Sequence, residues 1–208
     1  MNELDILARI YGTDKRTNDI GQNIYHGYTD IYHSLLKNER YEYKNILEIG
    51  VREGWSHFMW RDYFPKAMIY GIDNFSEPSC TIKKEDIECD RIKVIVGEQD
   101  DPKLIEKNFK DIVFDLIIDD GSHRSWHQQK SFKYLWNKLK SGGIYIIEDL
   151  AVCAMREFRE FDDIRSATTA WLDSIIKKNF FSYYMQENEI KDIKAVQLIG
   201  ELGIIYKL

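Results

Sequence analysis

Short apolar runs alternate with amphipathic stretches along most of the chain. Five of these runs predict strands buried on both faces, because they are short and rich in β-branched residues. They are Asn45–Ile49, Met68–Ile72, Ile92–Val96, Phe114–Ile118 and Ile144–Ile147. Strands that alternate with helices favour a parallel sheet with right-handed crossovers, so the pattern predicts the α/β class.

Helical periodicity fills the intervals between the predicted strands. Trp55–Phe64 carries aromatic residues on one side, and Pro65 is expected to stop the helix. Trp126–Lys140 repeats apolar residues at the spacing of a core-facing helical stripe. Ser141–Gly143 is expected to end that second helix, since glycine readily adopts the left-handed conformation found at helix ends.

Both ends of the chain depart from this alternation. Asn2–Asn38 predicts two helices around the polar loop Tyr11–Lys15, and we expect this segment to fold over the sheet as a lid. After a helix at Ile164–Lys178, the runs Phe180–Gln186 and Ala195–Lys207 predict a closing antiparallel hairpin.

The expected architecture is a mostly parallel seven-stranded sheet with a C-terminal antiparallel hairpin and an N-terminal helical lid. Without repeats or a Gly/Ser-rich linker, residues 1–208 predict a single domain, with the lid at 1–38 and the core at 45–208.

Charge and composition narrow the classes of function. The formal net charge is −6 and no Lys/Arg run reaches five residues, which argues against nucleic acid as a partner. No apolar stretch approaches the roughly 20 residues of a membrane span. The three cysteines lack metal-site spacing and suggest no disulfide framework, and the N-terminus does not resemble a signal peptide. We therefore expect a cytoplasmic protein.

Glu48–Gly54 follows the first predicted strand, where open α/β sheets bind ligands. Gly50 and Gly54 allow a tight turn, and the next helix offers free N–H groups to an anion. The dinucleotide fingerprint GxGxxG fails here. An acid before GxxxG is instead typical of methyltransferases that bind S-adenosylmethionine (SAM). An ordinary strand–helix turn remains an alternative.

Polar residues after the second and third strands are candidates for binding a nucleoside. Asp73 can accept hydrogen bonds from two ribose hydroxyls, and Glu98 and Gln99 can face an adenine edge. The alternatives are a surface-turn aspartate and a plain acidic loop.

Acidic residues follow the fourth and fifth strands, with Asp119, Asp120 and His123 after one and Glu148 and Asp149 after the other. If these strands are neighbours, their ends lie roughly 5 Å apart. Carboxylates so close repel unless a cation lies between them, and all-oxygen ligation suits Mg²⁺. Helix capping and rim ion pairs are the alternative roles.

These motifs together resemble the metal-dependent sugar O-methyltransferases typified by the macrocin and mycinamicin enzymes. The resemblance covers about residues 10–150 and rests on several motifs in order. The motifs are YGTDK at Tyr11–Lys15, His26 with Tyr28, LEIGV with Gly54, DYFP at Asp62–Pro65, GID at Gly71–Asp73, DDGSH at Asp119–His123 and GGIYIIEDL at Gly142–Leu150.

The resemblance implies a Rossmann-like class I methyltransferase fold and a role for each matching position. Glu48, Gly50, Gly54 and Asp73 would hold SAM, with Asp119 beside its methionine part. Asp120, Glu148 and Asp149 would ligate Mg²⁺, and His123 would be the general base. Apart from the resemblance, the position of the polar lid loop leads us to expect that Tyr11, Thr13 and Lys15 contact the cofactor.

The expected function is methyl transfer from SAM to a small-molecule acceptor. This acceptor would carry a hydroxyl or phosphoryl oxygen on a sugar, a surface-glycan precursor or a natural product. We expect the chain to lack the extra N-terminal region of the macrolide enzymes, which leaves a bulky macrolide acceptor and homo-oligomerisation open. A non-catalytic SAM or nucleotide sensor and an NAD-linked oxidoreductase are the rival hypotheses.

Overall fold

The structure is a computed structural model that describes residues 1–22, 24–152, 168–181 and 192–208. Its contacts divide the chain into two compact units, residues 1–96 and 97–208. Each unit combines strands with helices. That residues 1–208 act as a single domain stays a prediction.

The first unit contains three strands that pair in parallel in the order β3-β2-β1. Its strands are β1 (Asn45–Ile49), β2 (Met68–Asp73) and β3 (Ile92–Val96), and its helices are α1 (Glu3–Tyr11), α2 (Tyr28–Leu36), α3 (Trp55–Tyr63) and α4 (Lys84–Ile87). The three predicted strands are therefore present and parallel, and the helix after β1 ends just before Pro65 as expected.

The N-terminal helices lie outside the strands, as predicted, and bury an apolar face in the first unit. Leu4, Ala8 and Leu36 are fully buried. The ring of Tyr32 meets Trp60 of α3 edge-on at 5.1 Å between centroids. This packing explains why two short helices are ordered, since isolated helices of nine residues are marginal in water. Whether they cover a cofactor stays a prediction.

A buried carboxylate, Asp5, ties α1 to the segments that follow it. It accepts hydrogen bonds from the backbone N–H of Thr17 at 2.7 Å, the hydroxyl of Thr29 at 2.9 Å and Nε of Arg9 at 3.0 Å. Burial alone raises the pKa of Asp5, but these hydrogen bonds outweigh it and the net pKa is lowered. The ionised form is therefore the one that the fold stabilises.

Replacing Asp5 by alanine is expected to lower the free energy of unfolding by about 1–3 kcal/mol, because buried donors lose their acceptor. The folded-state pKa is lowered, so the contribution of Asp5 is complete above the ordinary value of 3.8 and declines as pH falls below it. Urea unfolding from pH 3 to 7 should show the difference between the two proteins shrinking in acid. Asp111→Ala, at an exposed aspartate, is the control and should change stability by less than about 0.5 kcal/mol.

The second unit contains four strands in the order β4-β5-β7-β6. Its strands are β4 (Phe114–Asp119), β5 (Leu139–Ile147), β6 (Ile193–Ile199) and β7 (Leu202–Lys207), and its helices are α5 (Pro102–Phe109), α6 (Ser125–Leu135) and α7 (Thr168–Phe181), with a 3₁₀ turn at Trp136–Lys138. β4 and β5 are parallel, whereas β7 is antiparallel to both β5 and β6.

The core of the second unit centres on Phe132 of α6, part of the predicted apolar stripe. Its ring lies 4.8–5.0 Å, centroid to centroid, from the rings of Trp136, Tyr145 and Trp171. Aromatic pairs at this spacing contribute beyond the area they bury. The helical stripe is therefore confirmed as core-facing.

The predicted end of that helix at Ser141–Gly143 is wrong. The helix ends at Leu135, and residues 141–143 lie within β5. Gly142 has a φ of 75°, and the pairing of β4 with β5 shifts register between the pairs Phe114–Leu139 and Leu116–Ile144. The glycine pair thus serves an irregularity in a strand, a use that glycine also has because it tolerates positive φ.

The predicted C-terminal hairpin is present, but its position is corrected. Both of its strands, β6 and β7, come almost entirely from the run Ala195–Lys207, which the sequence pattern predicts as one strand. Gly200, with a φ of 59°, forms a two-residue turn with Glu201 between the paired residues Ile199 and Leu202. Of the other predicted strand, residues 180 and 181 belong to α7, and residues 182–186 lie outside the described residues.

Seven strands, mostly parallel and closed by an antiparallel hairpin, confirm the predicted α/β fold class. None of the helices in the described ranges combines the length and the apolar character that a membrane crossing requires.

Candidate active site

The turn after β1 depends on two glycines. Gly50 and Gly54 have φ values of 89° and 78°, which glycine adopts without strain. A Cβ atom on Gly54 would lie 2.8 Å from Cγ2 of Ile87. The backbone between β1 and α3 therefore needs glycine for both its conformation and its close packing.

Asp73 at the end of β2 holds this turn in place. Its Oδ2 accepts hydrogen bonds from the backbone N–H groups of Val51 at 2.7 Å and Arg52 at 2.8 Å. Its Oδ1 accepts from the N–H of Phe75 at 2.6 Å. A carboxylate oxygen can accept two hydrogen bonds, so Oδ1 keeps capacity for a further donor. The predicted contact with a ribose stays a prediction.

Glu48 is fully buried beneath the same turn. Its Oε2 accepts a hydrogen bond from the hydroxyl of Ser56 at 2.6 Å and lies 3.0 Å from Nδ1 of His57. Its Oε1 lies 3.4 Å from Nζ of Lys15, whose side chain is also buried. Glu48 thus joins the first strand, the following helix and the N-terminal segment.

His57 of α3 also belongs to this cluster, although none of the sequence motifs marks it as a site residue. It is fully buried. Burial lowers its pKa, and the nearby Glu48 carboxylate only partly opposes this shift. A neutral imidazole with the hydrogen on Nδ1 fits that setting, because it donates to Glu48.

The predicted lid loop packs within the first unit. Thr13 and Lys15 are buried, and the hydroxyl of Tyr11 hydrogen-bonds to Asp62 and lies 3.1 Å from the guanidinium of Arg61. Lys15 meets Glu48, so the structure brings together two of the predicted cofactor residues. Their contact with a cofactor stays a prediction.

In the second unit, the loops after β4 and β5 bring acidic residues and a histidine together. Asp120, His123 and Asp149 each offer a ligand atom, and these atoms lie within 4.8 Å of one another. Nε2 of His123 is 3.6 Å from Oδ2 of Asp149. A carboxylate oxygen of Glu148 also lies within 4.8 Å of one of Asp120. Asp120 therefore lies near the predicted base and near each of the other two predicted metal ligands.

The parallel pairing of β4 and β5 produces this convergence. Asp119 pairs with Ile147, so both strands end at the same level and their loops start together. His123 and Asp149 then adopt positive φ values of 57° and 56°. Such a conformation costs a non-glycine residue about 1–3 kcal/mol and persists only where the surroundings hold it. Donor set and spacing suit a hard divalent cation.

Asp119 and Gln99 form a buried polar pair behind this cluster. Nε2 of Gln99 donates to Oδ1 of Asp119 at 3.2 Å, and the hydroxyl of Tyr145 lies 3.4 Å from its Oδ2. Burial raises the pKa of Asp119 to about 6, partly opposed by a hydrogen bond from the backbone of Gly121. Glu98 is exposed beside them. Their predicted contacts with SAM stay predictions.

Comparison with known proteins finds one family and a group of biosynthetic enzymes. Residues 47–150, half of the chain, match the family described as a methyltransferase domain. A tetracenomycin rhamnosyl 3'-O-methyltransferase of Streptomyces olivaceus is 32% identical over 72% of this chain and 41% of its own length. Mycinamicin VI 2''-O-methyltransferase of Micromonospora griseorubida is 33% identical over 60% of this chain and 32% of its own. This chain thus spans about two fifths or less of these relatives.

Solved structures resemble the chain over nearly its whole length. MycE methyltransferase from the mycinamycin biosynthetic pathway, in complex with Mg and SAH (S-adenosylhomocysteine), has a TM-score of 0.83 and 25% identity, covering 99% of this chain and 53% of the other. A protein of Staphylococcus aureus described as a putative caffeoyl-CoA O-methyltransferase has a TM-score of 0.59 and 16% identity, covering 100% of this chain and 93% of the other, and shares the fold alone.

Proposed function

Because this chain belongs to the methyltransferase-domain family, we propose that it is a SAM-dependent O-methyltransferase acting on a sugar hydroxyl. The family membership and the similarity to antibiotic sugar O-methyltransferases together confirm the resemblance based on the motifs, and the fold is the Rossmann-like fold of class I methyltransferases. The observation that carries the proposal is the meeting of Asp120, His123 and Asp149 at the ends of two neighbouring parallel strands.

The names of the relatives support a sugar of a natural product as the acceptor. One acts at a rhamnosyl group of a tetracenomycin and another on mycinamicin VI. A phosphoryl oxygen or a glycan precursor remains within the proposal, because the chain covers only part of those relatives.

The proposed cofactor sites lie in the segments that follow the strands. The Glu48–Gly54 turn and Asp73 would bind SAM, which supplies an activated methyl group. Asp120, Glu148 and Asp149 would hold a divalent cation, Mg²⁺ by the nature of its oxygen ligands. When bound, such a cation lowers the pKa of a hydroxyl and fixes its direction.

His123 would act as the general base. Its Nε2 would receive the hydroxyl proton while the acceptor oxygen forms a bond to the methyl carbon and the carbon–sulfur bond breaks. The sulfur keeps the bonding electron pair, so the products are a methyl ether and SAH. Asp149, 3.6 Å from Nε2, would stabilise the protonated ring. Alignment of the acceptor oxygen with the methyl group would supply the remainder of the rate enhancement.

Two rival functions make different predictions. A SAM sensor would bind SAH without turnover, and it has no need of a histidine beside a carboxylate cluster. An NAD-linked oxidoreductase would bind NADH, yet the turn after β1 lacks the dinucleotide fingerprint.

The direct test is turnover with SAM and Mg²⁺ over a panel of nucleotide sugars and deoxysugar-bearing natural products. We expect formation of SAH together with a methylated acceptor, detected by mass spectrometry. SAH binding with no product over the whole panel would favour the sensor, and preferential NADH binding would favour the oxidoreductase.

Asp73→Ala is expected to weaken SAH binding by about 1–3 kcal/mol, measured by titration calorimetry. The substitution removes a ribose acceptor and frees the N–H groups of Val51 and Arg52 that shape the turn. Asp90→Ala, at an exposed aspartate of the same unit, should leave the affinity unchanged. Equal SAH affinity in the Asp73 variant and the wild type would contradict the assignment.

A further inference from the structure

Gln99, in the loop after β3, has a buried amide that meets three parts of the second unit. Its Oε1 accepts a hydrogen bond from the backbone N–H of Ser122 at 2.9 Å. Its Nε2 donates to the hydroxyl of Ser131 on α6 at 2.9 Å and to Oδ1 of Asp119 at 3.2 Å. The side chain therefore links the end of β4, the loop that follows it and the next helix.

The orientation of this amide follows from its partners. The N–H of Ser122 can only donate, so it requires the amide oxygen, and the Asp119 carboxylate, when ionised, requires the amide nitrogen. Both N–H hydrogens and one oxygen lone pair are then engaged. Only one lone pair of Oε1 remains, so the amide could accept a single hydrogen bond from adenine and could donate none.

Ser122, whose backbone N–H donates to Gln99, lies in the sequence between Asp120 and His123. Gly121 and Ser122 separate Asp120 from His123, and the hydroxyl of Ser122 lies 2.7 Å from Nδ1 of His127. His123 has a left-handed backbone with a φ of 57°. A side chain that anchors the preceding N–H opposes relaxation of this strained residue.

We propose that Gln99 is a positioning residue, which holds the Asp120–His123 loop in the geometry needed to bind a divalent cation and to present His123. This inference rests on the proposed function, but it departs from the predicted contact of Gln99 with adenine. Loss of the amide should weaken cation binding and methyl transfer while SAH still binds normally.

Gln99→Met tests the proposal, because methionine keeps the length of the side chain and removes its hydrogen bonds. Three quantities separate the roles: the Kd for SAH by calorimetry, the Kd for Mn²⁺ by electron paramagnetic resonance on SAH-saturated protein, and kcat against KM for the acceptor. We expect an SAH Kd within about twofold of wild type, with the Mn²⁺ Kd raised and kcat lowered by about 5- to 100-fold, the size of a lost buried hydrogen bond.

Two further variants keep the test decisive. Gln197→Met, at an exposed glutamine on β6, is the matched control and should behave as wild type. Ser131→Ala removes only one anchor of the Gln99 amide, so it should shift the Mn²⁺ Kd and kcat in the same direction by about two- to fivefold. It serves if Gln99→Met does not fold.

The measurements distinguish a failure of the positioning role of Gln99 from a failure of the proposed methyltransferase function. A loss of SAH affinity in Gln99→Met as large as the loss of kcat would indicate an adenine contact and reject the positioning role. Wild-type Mn²⁺ affinity in Gln99→Met and Ser131→Ala would also reject it. Failure of the wild-type protein to turn over any acceptor would instead weaken the proposed function, and the Mn²⁺ measurement would still decide the role of Gln99.

Discussion

Replacing His123 by alanine is expected to lower kcat by about 10²–10⁴-fold, the usual size of a general-base contribution. SAH affinity should stay nearly intact, because the residues proposed to hold SAM lie on the Glu48–Gly54 turn and at Asp73. His123→Asn is a second variant, since asparagine tolerates the left-handed backbone that His123 adopts. It should lose as much activity as the alanine variant if proton transfer, and not backbone strain, is what matters.

Steady-state kinetics with His33→Ala provide the control for this prediction. His33 hydrogen-bonds to Tyr63 in the first unit, and its loss should change kcat by less than about twofold. Near-normal turnover in His123→Ala would contradict the role of His123 as general base.

Chelation of the cation with EDTA is expected to abolish turnover, and added Mg²⁺ should restore it. Full activity in EDTA would contradict the role of the cation and indicate that alignment of the two substrates supplies the catalysis.

Lys15→Met is expected to lower the free energy of unfolding by about 3–5 kcal/mol. The substitution removes the cation 3.4 Å from Glu48 and leaves a fully buried carboxylate without that charge. Removing both charges, in Lys15→Met with Glu48→Gln, should recover part of the loss, because the cost arises mainly from the isolated charge. Guanidinium unfolding measures all of these variants.

The matched control is Lys66→Met, which removes a lysine from an exposed pair with Glu42 at 3.8 Å. Exposed pairs contribute about 0–1 kcal/mol, so this variant should unfold almost as the wild type does. If Lys15→Met and Lys66→Met proved equally stable, the buried pair would not anchor the N-terminal loop.

The sequence predicts the buried strands more accurately than the ends of the chain. β1 and β3 have the predicted bounds because each is a short apolar run that is rich in β-branched residues and is followed at once by a glycine turn. The hairpin is misplaced because its two strands form one continuous apolar pattern, in which Gly200 is the main sign of a turn. The helix end at Gly142 was misplaced since a glycine pair suits a strand irregularity as well as a helix end.

The sequence likewise predicts some residues of the candidate site and not others. Asp120, His123, Glu148 and Asp149 could be found because each follows a strand, and parallel topology alone brings strand ends together. The roles of Gln99 and His57 could not be found in this way. Each depends on which side-chain atoms meet across elements distant in sequence, and on burial that a helical or loop position does not reveal.

The three backbone hydrogen bonds to Asp73 have a consequence for the thermodynamics of ligand binding. Fixing the backbone of one residue costs about 1–2 kcal/mol of conformational entropy. Asp73 fixes Val51, Arg52 and Phe75 during folding, before any ligand arrives. A cofactor that binds over this turn therefore meets a preorganised surface, and its affinity is not reduced by the entropy of ordering that segment.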